Sequence, residues 1–294
     1  MDSIFGVPLQ GLLGQILVGL INGSFYALLS LGLAVIFGML RVINFAHGVQ
    51  YMLGALIAWF LLRYMNVSFW LALILAPLSV AVLAAAIERL LLSHLYKLDH
   101  LYGLLLTFGI ALVIEGFFIH QYGTSGQPYA VPEALGGVWD LDFMVLPKYR
   151  GWVVITSCLI CLATWLLIER TKFGAYLRAA TERPLLVQSF GVNVPRLLTA
   201  TYALGAGLAA LAGVLAAPVY QVSPAMGQSI IIVVFAVVVI GGMGSILGAI
   251  VTGYALGVLE GLTKVFYPQA ASTVIFVVMA VVLLTRPAGL FGRD

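Results

Sequence analysis

The sequence predicts an all-α polytopic membrane protein: one transmembrane domain over 1–294, with about nine membrane-crossing or re-entrant helices, eight to ten at the limits. Three observations carry this. Hydrophobic residues make up 63% of the chain and charged residues 9%, where a soluble domain has about 25% charged. So little charge cannot keep a globular surface of this size in water. Second, the apolar residues are gathered into runs long enough to cross a bilayer. Third, the one long polar segment, 169–196, carries Arg170, Lys172, Arg178, Arg183 and Arg196 against Glu169 and Glu182. Basic residues crowded in a loop between two spans mark the cytoplasmic side, and that loop orients the rest. The amino terminus then lies outside and the carboxyl terminus inside.

In chain order, the first apolar run, Leu9–Leu40, crosses inward to Arg41. No basic residue precedes it, so it reads as a retained span rather than a cleaved signal. A short run, 51–62, crosses outward and 70–92 returns. The loop with His94, Lys97 and His100 is cytoplasmic, and 101–120 crosses outward. An external loop, 121–151, follows, with Pro128, Pro132, Gly136, Gly137 and the acids Glu133, Asp140 and Asp142. The run 152–168 enters the cytoplasmic loop 169–196, and 197–217 leaves it. After an uncharged external stretch, 229–240 and 246–260 flank the break Gly241-Gly242-Met243-Gly244-Ser245. Each is shorter than the ~20 residues of a full span, so both are expected to be tilted or broken helices. The last run, 271–284, returns inside and leaves Arg286 and Arg293 in the cytoplasm, in keeping with the positive-inside rule.

The loop 169–196 has an internal design. One short helix is expected over 172–183, with Arg178 and Glu182 four apart and able to pair across a turn. Pro184 cannot continue that helix but suits the first turn of a second, ended near Gly191 in the left-handed region. Asn193 and Pro195 start the next span. Gly174, Ala175, Ala179 and Ala180 give the pair of helices a face of small residues, a knob that a partner could grip.

Within the spans, Asn22-Gly23-Ser24 with Tyr26 forms one polar site, where a glycine between hydrogen-bonding side chains could loosen the helix and offer backbone groups to a solute. Asn44 and His47, just beyond Arg41, form a second, with His47 in a helix-end role. The glycine break at 241–245 is a third. Asn22, Ser24, Tyr26, Asn44 and His47 are thus the candidate pathway residues. Gly253, Gly257 and Gly261 recur every fourth residue and read as a packing row that admits a close helix neighbour.

Other chemistries are disfavoured. Cys158 and Cys161 form a CxxC inside a lipid-facing helix without a second ligand pair, and read as packing residues. The four histidines have no spaced partner for a metal. No Walker motif or phosphate loop occurs, no nucleophile, base and acid fall together, and no cofactor is expected. The spans hold Glu88, Glu115 and Glu260 but no acidic pair at mid-depth, which weakens an ion-coupled carrier. The net charge of +3 lies in loops and makes no nucleic-acid patch.

Three stretches carry a family resemblance. NGSFYALLSLGLAVIFGMLRVINFAHGVQYMLGA (22–55), FGAYLRAATERPLLVQSFGVNV (173–194) and VVVIGGMGSILGAIVTGYALGVLEG (237–261) resemble, in order, the H-type permease subunit of the branched-chain amino-acid ABC importers. The resemblance implies one half of an importer channel in the bacterial cytoplasmic membrane. It implies a second permease chain (usually an M-type sister), two cytoplasmic ATPase subunits and an external solute-binding protein as partners. It also implies that Gly174, Arg178, Ala179, Glu182 and Gly191 couple the chain to the ATPases, so the chain is no enzyme. The alternative is a self-sufficient channel or facilitator for a small polar solute such as urea or an amide, which would have no need of a folded cytoplasmic knob.

Overall fold

The computed structural model describes residues 3–4, 7–40, 43–96 and 98–292. Arg41, Lys97 and Arg293, three of the expected cytoplasmic markers, lie outside the described residues. Two tiny antiparallel hairpins, β1 (Ser3–Ile4) with β2 (Val7–Pro8) and β3 (Val138–Asp140) with β4 (Val145–Pro147), accompany an otherwise helical chain.

Pro8 precedes α1 (Leu9–Leu40), an unbroken helix of 32 residues, and proline suits a helix start because its fixed φ and missing amide cost nothing there. Next come α2 (Ala46–Met65), which stops at Asn66 in the left-handed region (φ 53°), and α3 (Phe69–Leu90), which contains Pro77. Asp99 caps α4 (His100–Tyr122) by accepting from the Leu101 amide at 2.9 Å. Then α5 (Lys148–Arg170) enters the short pair α6 (Lys172–Glu182) and α7 (Pro184–Ser189). Asn193 opens α8 (Val194–Ala216) by accepting from the Arg196 amide at 3.1 Å. The chain ends with α9 (Met226–Gly241), α10 (Ile246–Phe266) and α11 (Val274–Thr285).

Among the described residues seven helices (α1 to α5, α8 and α10) are long and apolar enough to cross a membrane, and α9 and α11 are shorter apolar helices. Two expected boundaries move by five residues or more. The short run 51–62 is the middle of a full 20-residue helix, because Asn44 Oδ1 accepts the Ala46 amide at 3.1 Å and starts the helix earlier. The run 246–260 extends to Phe266, where α10 reaches 21 residues; the loop glycines on its amino-terminal side do not shorten it. The break itself is present. Gly242 (φ 99°) and Gly244 (φ 86°) hold left-handed turns that L side chains resist, and Ser245 Oγ caps the Gly248 amide at 3.1 Å.

The chain clusters into two compact units. The first comprises 1–30, 130–162 and 233–294. Its core joins Ala236, Val237 and Ile240 of α9, Leu256 of α10, and Ile275 and Val282 of α11. The backbones of α1 and α10 approach closely along a row of glycines. A Cβ on Gly257 would meet the Gly19 carbonyl oxygen and the Gly23 amide nitrogen at 2.5 Å, and one on Gly253 would meet the Ala27 backbone at 2.6 Å. No side chain fits between these helices, and dispersion across the contact replaces the missing hydrophobic drive in lipid. After α11 the chain returns, and the Leu290 amide donates to the Ile240 carbonyl at 2.8 Å, satisfying an orphan acceptor at the end of α9.

The second unit comprises 31–129 and 163–232. Its centre is α8, packed on α2 and α3. Ile36, Ala84, Leu92, Tyr202 and Ala206 form its buried core. Small residues again set the spacing: Gly54 faces Ala210, and Gly205 faces Gly32 and Ile36.

Candidate functional site

The knob belongs to the second unit. α5 ends at Arg170, and α6 folds straight back on it. A Cβ on Gly174 would collide with the Ile168 carbonyl, so only glycine lets α6 pass there. Four residues on, Arg178 Nη1 donates to that same carbonyl at 2.8 Å and lies 3.4 Å from Glu169 Oε2. The expected Arg178–Glu182 pair is therefore not the one formed. The open carbonyl at the end of α5 is the stronger attraction for the guanidinium, because helix ends leave acceptors unsatisfied. The small residues also divide between two faces. Gly174, Leu177 and Ala180 are buried, whereas Ala175, Ala179 and Glu182 are exposed. Thr181 places its hydroxyl 3.3 Å from Met39 Sδ, so α6 also rests on the end of α1.

Across Pro184, α7 buries Val187 alone and exposes Leu185 at 80%, and Phe190 just after it is 78% exposed. Leu186 and Tyr176 are exposed as well. Gly191, at φ 83°, makes the left-handed turn that closes α7. The result is a short, folded projection with apolar side chains outward and Arg170, Lys172 and Arg183 exposed around them.

Below the knob a buried carboxyl ties three segments. Glu88 on α3, 2% exposed, accepts from the Tyr96 hydroxyl at 2.6 Å and from the Thr199 hydroxyl of α8 at 2.6 Å. Burial, and after it the hydrogen bond to Glu88, raises the Tyr96 phenol well above its ordinary range.

The candidate pathway residues fall in different units. In the second, Asn44 and His47 are fully buried. Thr107 of α4 accepts the Phe45 amide at 3.2 Å, which fixes the turn into α2. His47 Nδ1 lies 3.2 Å from Gln50 Oε1, and Gln50 Nε2 donates to the Tyr202 hydroxyl at 3.3 Å. Gln50 and Tyr202 were not singled out from the sequence. Gln50 sits one turn beyond His47 on the same helix face, a legible signal; Tyr202, on α8, had none.

In the first unit α1 does not loosen at Gly23. Ser24 Oγ bonds back to the Leu20 carbonyl at 2.9 Å within the helix, and the space left by Gly23 is filled by the Tyr254 backbone of α10. Asn22 and Tyr26 are half-buried. Tyr26 donates to Glu260 Oε2 at 2.7 Å, and Lys264 Nζ pairs with Glu260 Oε1 at 2.6 Å. The Tyr254 hydroxyl meets Ser157 Oγ at 2.6 Å and accepts from the Cys158 thiol at 3.2 Å. Both cysteines are free.

Against known proteins, residues 15–284 match the family described as the branched-chain amino acid transport system / permease component. The chain is 28% identical to the high-affinity branched-chain amino acid transport system permease protein LivH of Salmonella typhimurium, with 96% of each chain covered. It is 30% identical to the permease protein BraD of Pseudomonas aeruginosa, again over 96% of each. LivM of Escherichia coli K12 is 25% identical over 90% of this chain and 67% of its own. No solved structure matches.

Proposed function

The chain belongs to the branched-chain amino acid transport system permease family, and from that premise we propose that it moves branched-chain or related amino acids inward. It is a permease subunit of an ABC importer, a multi-pass protein of the inner membrane and not an enzyme; ATP is hydrolysed by separate subunits. A second permease chain completes the channel, an M-type sister of the kind represented by LivM. Two ATPases dock from the cytoplasm on the 169–196 knob, and a binding protein delivers the solute on the side of the 121–151 loop. The knob supports this reading most. A connector between spans needs only a few residues, yet this one spends two helices, a glycine that fits under a carbonyl, and an arginine on holding Leu185 and Phe190 in water. Exposed apolar groups rimmed by basic ones are the mark of a protein-binding patch.

In this reading Gly174 and Arg178 set the shape of the knob, Ala179 and Glu182 lie on its contact face, and Gly191 closes it. Asn22, Ser24, Tyr26, Asn44 and His47 stand along the pathway, with Gln50 and Tyr202 added to them. The Gly253/Gly257/Gly261 row packs the bundle. The test is uptake of labelled L-leucine into vesicles holding the chain with its sister permease, the ATPases and the binding protein. Uptake should need ATP and all partners. Leucine flux through the chain alone would instead identify a facilitator.

A further inference from the structure

We infer that Glu88 is a positioning residue that passes movement of the knob into the membrane bundle; this rests on the reading of the knob as the ATPase contact. α7 and α8 are joined by four residues, 190–193, and Asn193 caps α8 directly. A push on the knob is therefore a push along α8, because a helix moves as a rod. Thr199 stands in the second turn of that rod. Its hydroxyl donates a hydrogen bond to Glu88 Oε2 at 2.6 Å, while Tyr96, in the segment linking α3 to α4, donates to Oε1 at 2.6 Å. Both carboxyl oxygens are used, so α8, α3 and the connector are held through a single buried group.

The surroundings suit transmission more than simple support. Pro77 lacks the amide that would bond the Leu73 carbonyl, which leaves α3 a bending point above Glu88. A small void lined by Leu40, Leu92, Asp99 and His100 adjoins Tyr96. Two hydroxyls are pointed at one carboxyl, and the Thr199 hydroxyl also has the Pro195 carbonyl of its own helix 3.1 Å away as a second acceptor.

The experiment compares leucine moved per ATP hydrolysed in the reconstituted complex. Thr199→Val and Tyr96→Phe each remove one hydroxyl at nearly constant shape. Both should keep ATPase co-purification and basal hydrolysis, and lower the leucine-to-ATP ratio about tenfold, the factor that loss of a hydrogen bond to a carboxyl can carry. Thr199→Ser, which restores the hydroxyl, should restore the ratio. Glu88→Leu should lower it at least as far, and adding Thr199→Val to it should change nothing more. An unchanged ratio in both Thr199→Val and Tyr96→Phe would overturn the proposal, and so would loss of ATPase co-purification, which marks plain structural support. Failure of docking itself is read separately, from Ala179→Trp, and leaves these signatures distinct.

Discussion

Arg178 reaches from α6 to the Ile168 carbonyl of α5 at 2.8 Å, ten positions back along the chain, over a glycine whose Cβ would have struck the same oxygen. The pair sets the angle at which α6 folds back on α5 and is the basis of the first prediction.

Arg178→Ala frees the Ile168 carbonyl and should cost about 1 kcal/mol of local stability. Faster amide exchange across 172–182, with the spans unaffected, is the expected readout. Gly174→Val should be harsher, because the backbone of α5 cannot yield to a side chain there, and should abolish ATPase co-purification. The Arg178–Glu169 ion pair is exposed on both sides and adds little, ~0.2–1 kcal/mol. Glu169→Gln should therefore be close to wild type, and a Glu169→Gln variant as impaired as Arg178→Ala would reverse the ranking.

Ala179 and Ala180 are adjacent but face opposite ways, exposed and buried. Ala179→Trp should fold, reach the membrane and fail to hold ATPase subunits. Ala180→Trp should unfold α6 and lower the yield. If Ala179→Trp leaves co-purification and leucine uptake intact, the knob is only a connector.

The orientation has a direct measurement. In a background of Cys158→Ala and Cys161→Ala, a cysteine introduced as Ser189→Cys should react with an impermeant maleimide only from the cytoplasmic side. Ser125→Cys should react only from outside. Labelling of both from one side would invert or refold the topology.

Gly257→Leu forces a side chain into the contact with Gly19 and Gly23 of α1. Overpacking of this kind typically costs 1–3 kcal/mol or so, and more where both neighbours are backbone. A lower melting temperature in detergent and lost assembly are expected, with solute preference unchanged in the fraction that assembles. Normal assembly with an altered solute range would mean that the row lines the pathway.

Much of the helical plan was legible because lipid imposes it. A span must be apolar and about 20 residues long, and the punctuation of the knob (Pro184, Gly191, Asn193, Pro195) acts within a few residues of itself, where sequence neighbours are also spatial neighbours. The same locality explains the misplaced start of α2. Its first turn is fixed by Asn44 and by Thr107, a residue 62 positions from Phe45. The Arg178–Glu182 pair was the local solution on offer. The end of α5 supplied a better acceptor only once α6 had folded back.

By itself, then, the sequence determined what depends on composition and short range: a lipid-embedded helical chain, a family, a folded polar loop and its caps. Only the tertiary structure decided which groups meet across the chain. It joined Glu88 to Thr199 and Tyr96, Tyr26 to Glu260, Gln50 to Tyr202, and the glycines of α10 to those of α1. In these spans nearly every residue is apolar, so the pattern that elsewhere marks a buried face is blank. The choice of neighbour falls to close backbone approach and to the few polar side chains that must find one another out of water.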